Sequence, residues 1–308
     1  MITKRPLVSI GVPVYDGEKY IRRALDSLLA QDYENFELII SDNASTDDTL
    51  QICRRYATRD KRIRLNVNTY NLGVVPNFRA VLEMARGEYF MWAAVDDFWY
   101  PNFISTLLNE LIKYPDVGVA MCAVERVRED GTFHDLIRFN DKDNPNRKSH
   151  LAMCLAFPSL LKYNLFINGI FRRNILNRNS SFPTDEVSAA DRWFLCILSL
   201  KTKFIYVDEV LHVRTIRTGH FSERYPDDQY GKTKRKSKEK TFDFQPIFYL
   251  TRNILRTNVI PRHRKCYLPL ILFKYVFFQM RLKFFYVLRQ LKNNPWLITI
   301  YNFFRNDT

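Results

Sequence analysis

Met91-Trp92-Ala93-Ala94-Val95-Asp96-Asp97-Phe98-Trp99-Tyr100-Pro101 is the stretch on which the reading turns. The apolar run from Tyr89 to Val95 predicts a short buried strand, and it stops abruptly at two adjacent carboxylates. Carboxylates where a buried parallel strand ends lie at the carboxyl edge of an α/β sheet, the edge at which such sheets bind ligands. Hard oxygen donors there suit Mg²⁺ or Mn²⁺, which take one or two carboxylates together with substrate phosphates. The competing reading is structural: an Asp pair after a strand caps the helix expected from about Asn102.

Working outward, Leu7 to Pro13 predicts a first buried strand, with Tyr15-Asp16-Gly17 as the turn after it. Apolar residues recur at helical spacing from Tyr20 to Leu29. Phe36 to Ile40 predicts a second strand, which runs into Ser41-Asp42-Asn43-Ala44-Ser45-Thr46-Asp47-Asp48-Thr49, a loop rich in helix-capping residues. Ile63 to Asn66 predicts a third strand, Asn71-Leu72-Gly73 a turn, Pro76 to Ala85 a helix, and Glu88 to Val95 the fourth strand. Strand and helix alternating four times within a hundred residues argue for a doubly wound, mostly parallel sheet. Neither G-x-G-x-x-G nor G-x-x-x-x-G-K-[ST] follows any of these strands, so the common phosphate-cradling loops are absent. A helix over Phe103–Lys113 and a strand over Val117–Val124 come next. Residues 128–150 read as an irregular surface excursion. Phe166–Phe171, containing Gly169, reads as a strand; a helix opens at Asp191; Phe204–Val207 and Val210–Arg214 read as two short strands.

Charge divides the chain in two. Residues 231–308 hold 17 Lys and Arg against three acidic residues, and the remainder is balanced at 30 of each sign, so the net +14 lies wholly in the tail. That tail opens with a run of Lys and Arg from Lys232 to Lys240 and continues in helix-like segments rich in Phe, Tyr and Leu. Its most apolar piece, Tyr267–Met280, is interrupted by Pro269 and Lys274 and falls short of the ~20 apolar residues a membrane span needs. The five cysteines are scattered without C-x-x-C spacing, as in a reducing compartment. Met1-Ile2-Thr3-Lys4-Arg5-Pro6 lacks a signal peptide's apolar core, so a cytoplasmic location is expected.

Taken together, Pro13-Val14-Tyr15-Asp16-Gly17, Ser41-Asp42-Asn43-Ala44-Ser45-Thr46-Asp47, Asn71-Leu72-Gly73 and Ala85-Arg86-Gly87-Glu88-Tyr89 leading to Asp96-Asp97 resemble a family 2 glycosyltransferase of the GT-A fold. The likeness covers roughly residues 6–225. It implies a Rossmann-like, mostly parallel sheet flanked by helices, with the basic tail as a mainly helical extension. Residues 1–127 would be the nucleotide-sugar half, 128–230 the acceptor half and 231–308 the appended tail.

The same resemblance implies a nucleotide diphosphate sugar as donor, with Mn²⁺ or Mg²⁺ as cofactor. Asp42 would recognise the base, commonly through uracil N3–H, and Tyr15, beside Pro13, would pack on it. Their structural alternatives are an Asx-turn and a turn aromatic. Asp96 would contact the ribose or donor sugar, and Asp97 would bind the metal that stabilises charge on the leaving diphosphate. Inversion at the anomeric carbon needs a carboxylate base opposite the leaving group, and Asp191 in Ala189-Ala190-Asp191-Arg192-Trp193 fits that place; its alternative is a helix cap. Where relatives carry Glu-Asp this chain has Ala190-Asp191, which retains the residue taken as base. Arg217 and His220 lie in a loop able to close on the diphosphate. Arg86 reads as a helix-end contact and Trp92 as core. The absence of Gln-x-x-Arg-Trp argues against a processive polysaccharide synthase.

The function implied is single-sugar transfer to a hydroxyl of a glycan or lipid-linked glycan in cell-surface polysaccharide assembly. Two alternatives stand beside it: a catalytically idle relative that binds nucleotide or glycan, and a nucleotidyltransferase, which the missing Gly-rich loop disfavours. The tail admits three readings: docking on an anionic membrane surface, nucleic-acid binding, which is the weakest, and packing on the catalytic domain with its charge in water.

Overall fold

The computed structural model describes residues 5–139, 144–147, 166–176, 190–217, 269 and 273. Within them the elements run β1 (Val8–Val14), α1 (Ile21–Leu29), β2 (Phe36–Asp42), α2 (Thr49–Arg59), β3 (Ile63–Val67), α3 (Val74–Met84), β4 (Tyr89–Trp92), β5 (Phe98–Trp99), α4 (Phe103–Lys113), β6 (Val117–Arg128), β7 (Phe133–Ile137), β8 (Ile170–Arg172), α5 (Ala190–Lys201) and β9 (Lys203–Ile216). One sheet carries all the strands, in the order β3-β2-β1-β4-β8-β6-β9-β5, with β7 paired to β6 off that path. Pairing is parallel along β3-β2-β1-β4 and again between β6 and β9; β8 joins these halves antiparallel to both β4 and β6.

The period of two in the strands sorts side chains between two cores. Leu38, Ile40, Tyr89, Met91, Ala120 and Cys122 face the layer built by α1, α2 and α4. Their neighbours Ile39, Phe90, Trp92, Val119 and Met121 face the layer built by α3 and α5. Trp92 is the centre of that second layer. Its ring meets Phe90, Phe171 and Phe194 edge-on, at centroid separations of 4.7, 5.4 and 5.7 Å, and its indole N–H donates to the Phe78 carbonyl. Trp92 is core, as its place in the apolar run implies.

The amino-terminal edge of the sheet is tied by one buried carboxylate. Glu37 in β2 accepts from Ser9 Oγ at 2.6 Å, from the Arg86 amide at 2.7 Å and from Arg64 Nη1 at 2.7 Å. Arg86 is therefore held by its backbone at the end of α3. Gly87 is required beside it, because a Cβ there would stand 2.6 Å from the Leu7 carbonyl oxygen. Gly73, with φ +87°, turns the chain into α3, where Pro76 in the first turn lacks a donor the helix would not have used.

Four expectations need correction. The fourth strand ends at Trp92 and not Val95, because residues 94–97 form a turn closed by the Asp97 amide on the Ala94 carbonyl. Phe98 and Trp99 then make a two-residue strand on β9 that no periodicity could announce. Residues 128–150 are not wholly irregular: β7 pairs with β6 through Val124↔Ile137, and Gly131 makes the turn at φ +84°. The two short strands after α5 are one long strand, in which the register passes from Cys122↔Val207 to Ala123↔Val210 and leaves Asp208 and Glu209 as a bulge. Those two acidic residues bond Arg138 and Asn102 at the surface, which is why the apolar pattern breaks there while the strand continues. Residues 166–171 divide into a short 3₁₀ turn and β8. Except for positions 269 and 273, the tail from 218 onward, with His220, lies outside the described residues.

Candidate active site

Because β1, β2 and β4 are parallel neighbours, the segments that follow them emerge at one edge of the sheet. Two of these segments clamp each other. The Asp16 amide donates to Ser45 Oγ and the Thr46 amide to Asp16 Oδ1; Gly17 donates to Thr49 Oγ1, and Glu18 to Asp47 Oδ2. Asp16 and Ala44 take positive φ values, +45° and +60°, at the two tips of this clamp. Gly17 lies against Val95, where an added Cβ would stand 3.4 Å from the Val95 methyl, so the third segment, with the Asp pair, closes on the same corner. Pro13 is buried in β1 opposite Ser41, and Tyr15 is half-buried just beyond it.

Asp42, the last residue of β2, is fully buried. Its Oδ2 accepts the amide of Ser45, three residues on, at 3.2 Å, a local bond one residue longer than an Asx-turn, while Oδ1 has no partner among the described residues. A buried carboxylate oxygen without a donor is costly unless a ligand supplies one.

Behind Asp42 stands a network of asparagines. Asn43 Nδ2 donates to Asn71 Oδ1 at 2.7 Å, and Asn43 Oδ1 accepts from Asn68 Nδ2 and from the Leu72 amide. Asn68 Nδ2 also reaches Asn77 Oδ1, and Asn77 Nδ2 donates to the Ser41 carbonyl at 3.0 Å. The sequence showed Asn71-Leu72-Gly73 only as a turn; its side chains in fact tie the β3–α3 connection to the end of β2.

The two carboxylates of the Asp pair have different surroundings. The Asp97 carboxylate is 3% exposed, with Oδ2 3.0 Å from His212 Nε2 and Oδ1 accepting the Thr215 amide at 3.1 Å. His212 is itself 1% exposed and stacked on Trp99 at 5.3 Å. The two contacts on Asp97 tie β9 to the turn after β4. The accessible carboxylate is Asp96. Burial and the neighbouring Asp97 charge raise its pKa, opposed by Arg217 and Arg214. Arg217 Nε lies 2.8 Å from Asp96 Oδ2, and its guanidinium sits 4.4 Å above the Tyr20 ring.

Asp96 fits a divalent cation of the kind that takes one carboxylate and completes its shell from substrate phosphates. No three His, Cys, Asp or Glu side chains converge among the described residues. Asp191 occupies the second position of α5; its side chain lies outside the described residues. Tyr20 and His212 went unremarked in the sequence. Tyr20 looked like an ordinary helix-opening aromatic, and the partner of His212 is 115 residues away.

The model of glycosyl transferase family 2 matches residues 9–180. The chain belongs to that family. A glycosyltransferase of Rickettsia typhi described as uncharacterized is 37% identical over 159 residues, covering 51% of this chain and 48% of its own. A further one, from Haemophilus influenzae, is 29% identical over 186 residues, covering 59% and 58%. The chain thus spans about half the length of these curated relatives. Among solved structures, S. aureus TarS 1–349 in complex with UDP-GlcNAc superposes with a TM-score of 0.63 at 20% identity, covering 96% of this chain and 78% of that one. The mannosyltransferase PcManGT of Pyrobaculum calidifontis, in complex with GDP-Man and Mn²⁺, gives 0.53 at 20% identity, covering 97% and 84%. These likenesses bear out the GT-A fold. No helix among the described residues is long and apolar enough to cross a membrane.

Proposed function

We propose that this family 2 glycosyltransferase moves one sugar, with inversion, from a UDP-linked donor to a hydroxyl of a glycan or lipid-linked glycan. The observation that carries this reading is the unpartnered Oδ1 of Asp42, fully buried at the carboxyl edge of β2. An ionised carboxylate accepts hydrogen bonds and donates none. It therefore selects bases that offer a ring N–H, as uracil and guanine do, over cytosine and adenine, whose corresponding ring nitrogens are acceptors. The TarS complex with UDP-GlcNAc favours uracil, and the PcManGT complex with GDP-Man keeps guanine as the outcome to exclude.

Asp96 then faces the diphosphate. Asp96 would hold a divalent cation, which would supply positive charge to the departing nucleoside diphosphate. Arg217, within reach of the same carboxylate, supplies a second positive group to that diphosphate. Asp97 acts through His212 and Thr215 by holding β9 in place. Asp191, in the first turn of α5, takes the proton of the acceptor hydroxyl, and the helix amino terminus favours its ionised form. The 17 basic residues of 231–308 hold the enzyme on an anionic membrane surface, close to a lipid-linked acceptor.

Calorimetric titration of UDP, GDP, CDP and ADP with Mn²⁺ tests the donor assignment. UDP should bind, CDP and ADP should not, and Asp42→Ala should weaken UDP by at least about tenfold, a loss typical of a hydrogen bond to a charged group. Equal binding of UDP and CDP by the native chain would overturn it. In radiolabelled transfer assays Asp191→Asn should retain UDP binding and lose on the order of 10²–10⁴-fold in rate, the range for a general base.

A further inference from the structure

Tyr20 stands between two cations and a carboxylate. On its ring lies the Arg217 guanidinium at 4.4 Å and the Lys19 ammonium at 5.0 Å, and its hydroxyl donates to Glu129 at the β6–β7 turn. Arg217 has lost most of its water, at 15% side-chain exposure, and so needs both an anion and a face to lie on. Asp96 is the anion and Tyr20 the face. The approach is fixed from behind, since His212 and the Thr215 amide bind Asp97, and Arg217 follows two residues later against the adjacent Asp96. Neighbouring carboxylates are thereby matched to neighbouring points on β9.

We propose that Tyr20 is a positioning residue for the donor site: its ring seats the Arg217 guanidinium against Asp96, so that the arginine holds the cation's place until donor diphosphate and metal take over both partners. This rests on the reading of Asp96 as the carboxylate facing the diphosphate. A metal ion on Asp96 repels the guanidinium, and a diphosphate offers that guanidinium more negative oxygens than one carboxylate does. Tyr20 keeps Arg217 in reach of both.

The arrangement predicts opposite effects on two binding constants, which a merely structural role would not produce. Mn²⁺ binding to the full chain can be followed by electron paramagnetic resonance of the free ion, first alone and then with saturating UDP. Arg217→Gln removes the competitor for Asp96. It should tighten Mn²⁺ alone by about five- to tenfold, the scale of a partly exposed ion pair, and weaken Mn²⁺ in the presence of UDP. Tyr20→Leu should move both constants in those same directions by a smaller factor, and Tyr20→Phe, which keeps the ring, should leave Mn²⁺ alone within about twofold of the native chain.

Asp96→Asn should abolish Mn²⁺ binding. Undiminished Mn²⁺ binding by Asp96→Asn would remove the underlying reading of Asp96. Loss of binding there, with Arg217→Gln and Tyr20→Leu shifting both constants the same way or neither, would overturn the role of Tyr20 alone. Tyr20→Phe behaving like Tyr20→Leu would show that the ring is not the seat.

Discussion

At the scale of single residues, adjacent side chains of one type divide between opposite tasks according to their surroundings. Asp96 and Asp97 differ by one position, and a turn leaves one partly exposed against Arg217 and the other enclosed against β9. His212 is what makes the burial of Asp97 tolerable. His212→Ala would leave that carboxylate with one donor in a sealed space and open a void beside Trp99. A loss of roughly 3 kcal/mol in folding stability is expected, read as a lower urea midpoint. The variant His212→Gln, which keeps a donor near Asp97, should recover part of it. An unchanged midpoint in His212→Ala would mean that Asp97 is solvated in the folded state.

At the scale of elements, the sheet's amino-terminal edge depends on Glu37. Burial pushes its pKa up, but the Ser9 hydroxyl, the Arg86 amide and Arg64 together outweigh this and hold it below the ordinary value. A depressed carboxylate pKa stabilises the fold above the unfolded-state pKa, and the contribution disappears as pH falls through the folded value. Glu37→Gln should therefore be less stable than the native chain near neutrality, by roughly 1–3 kcal/mol. The gap should narrow once pH drops below about 4. Urea melts at the two pH values check this, and a gap that widened in acid would reverse the sign.

Two glycines separate packing from backbone strain. Gly87→Ala forces a Cβ against the Leu7 carbonyl and the Ser9 amide and should cost about 2 kcal/mol through displaced strand β1. Gly131→Ala meets nothing within 4 Å, and should cost only about 1 kcal/mol for holding alanine at positive φ. Equal midpoints for the two variants would mean that the Gly87 contact relaxes freely.

At the scale of the whole molecule, the catalytic part is electrically balanced and all the excess charge lies beyond residue 230. The proposed docking on membrane then has a salt signature. The full chain should float with liposomes containing anionic lipid, stay behind with neutral ones, and detach as ionic strength rises, because the Debye length falls from ~10 Å at 0.1 M to ~3 Å at 1 M. Flotation independent of lipid charge would leave the aromatic residues as the anchor, and no flotation would leave a tail that packs on its own domain.

The sequence by itself determined the family, and the alternation of strands and helices through the start of β4. These rest on local periodicity and on motifs whose order along the chain survives without knowledge of contacts. Asp42 was legible because a carboxylate ending a buried strand is conspicuous in any sequence. Tertiary structure alone decided which of Asp96 and Asp97 is open, that Asp208 and Glu209 make a bulge and not a break, and that Tyr20 and Arg217 share a site. In each case the partner lies in a strand or turn distant along the chain, brought near only when β9 is laid between β6 and β5. Side-chain direction at a turn follows from what packs against it, and that information is carried by the folded sheet.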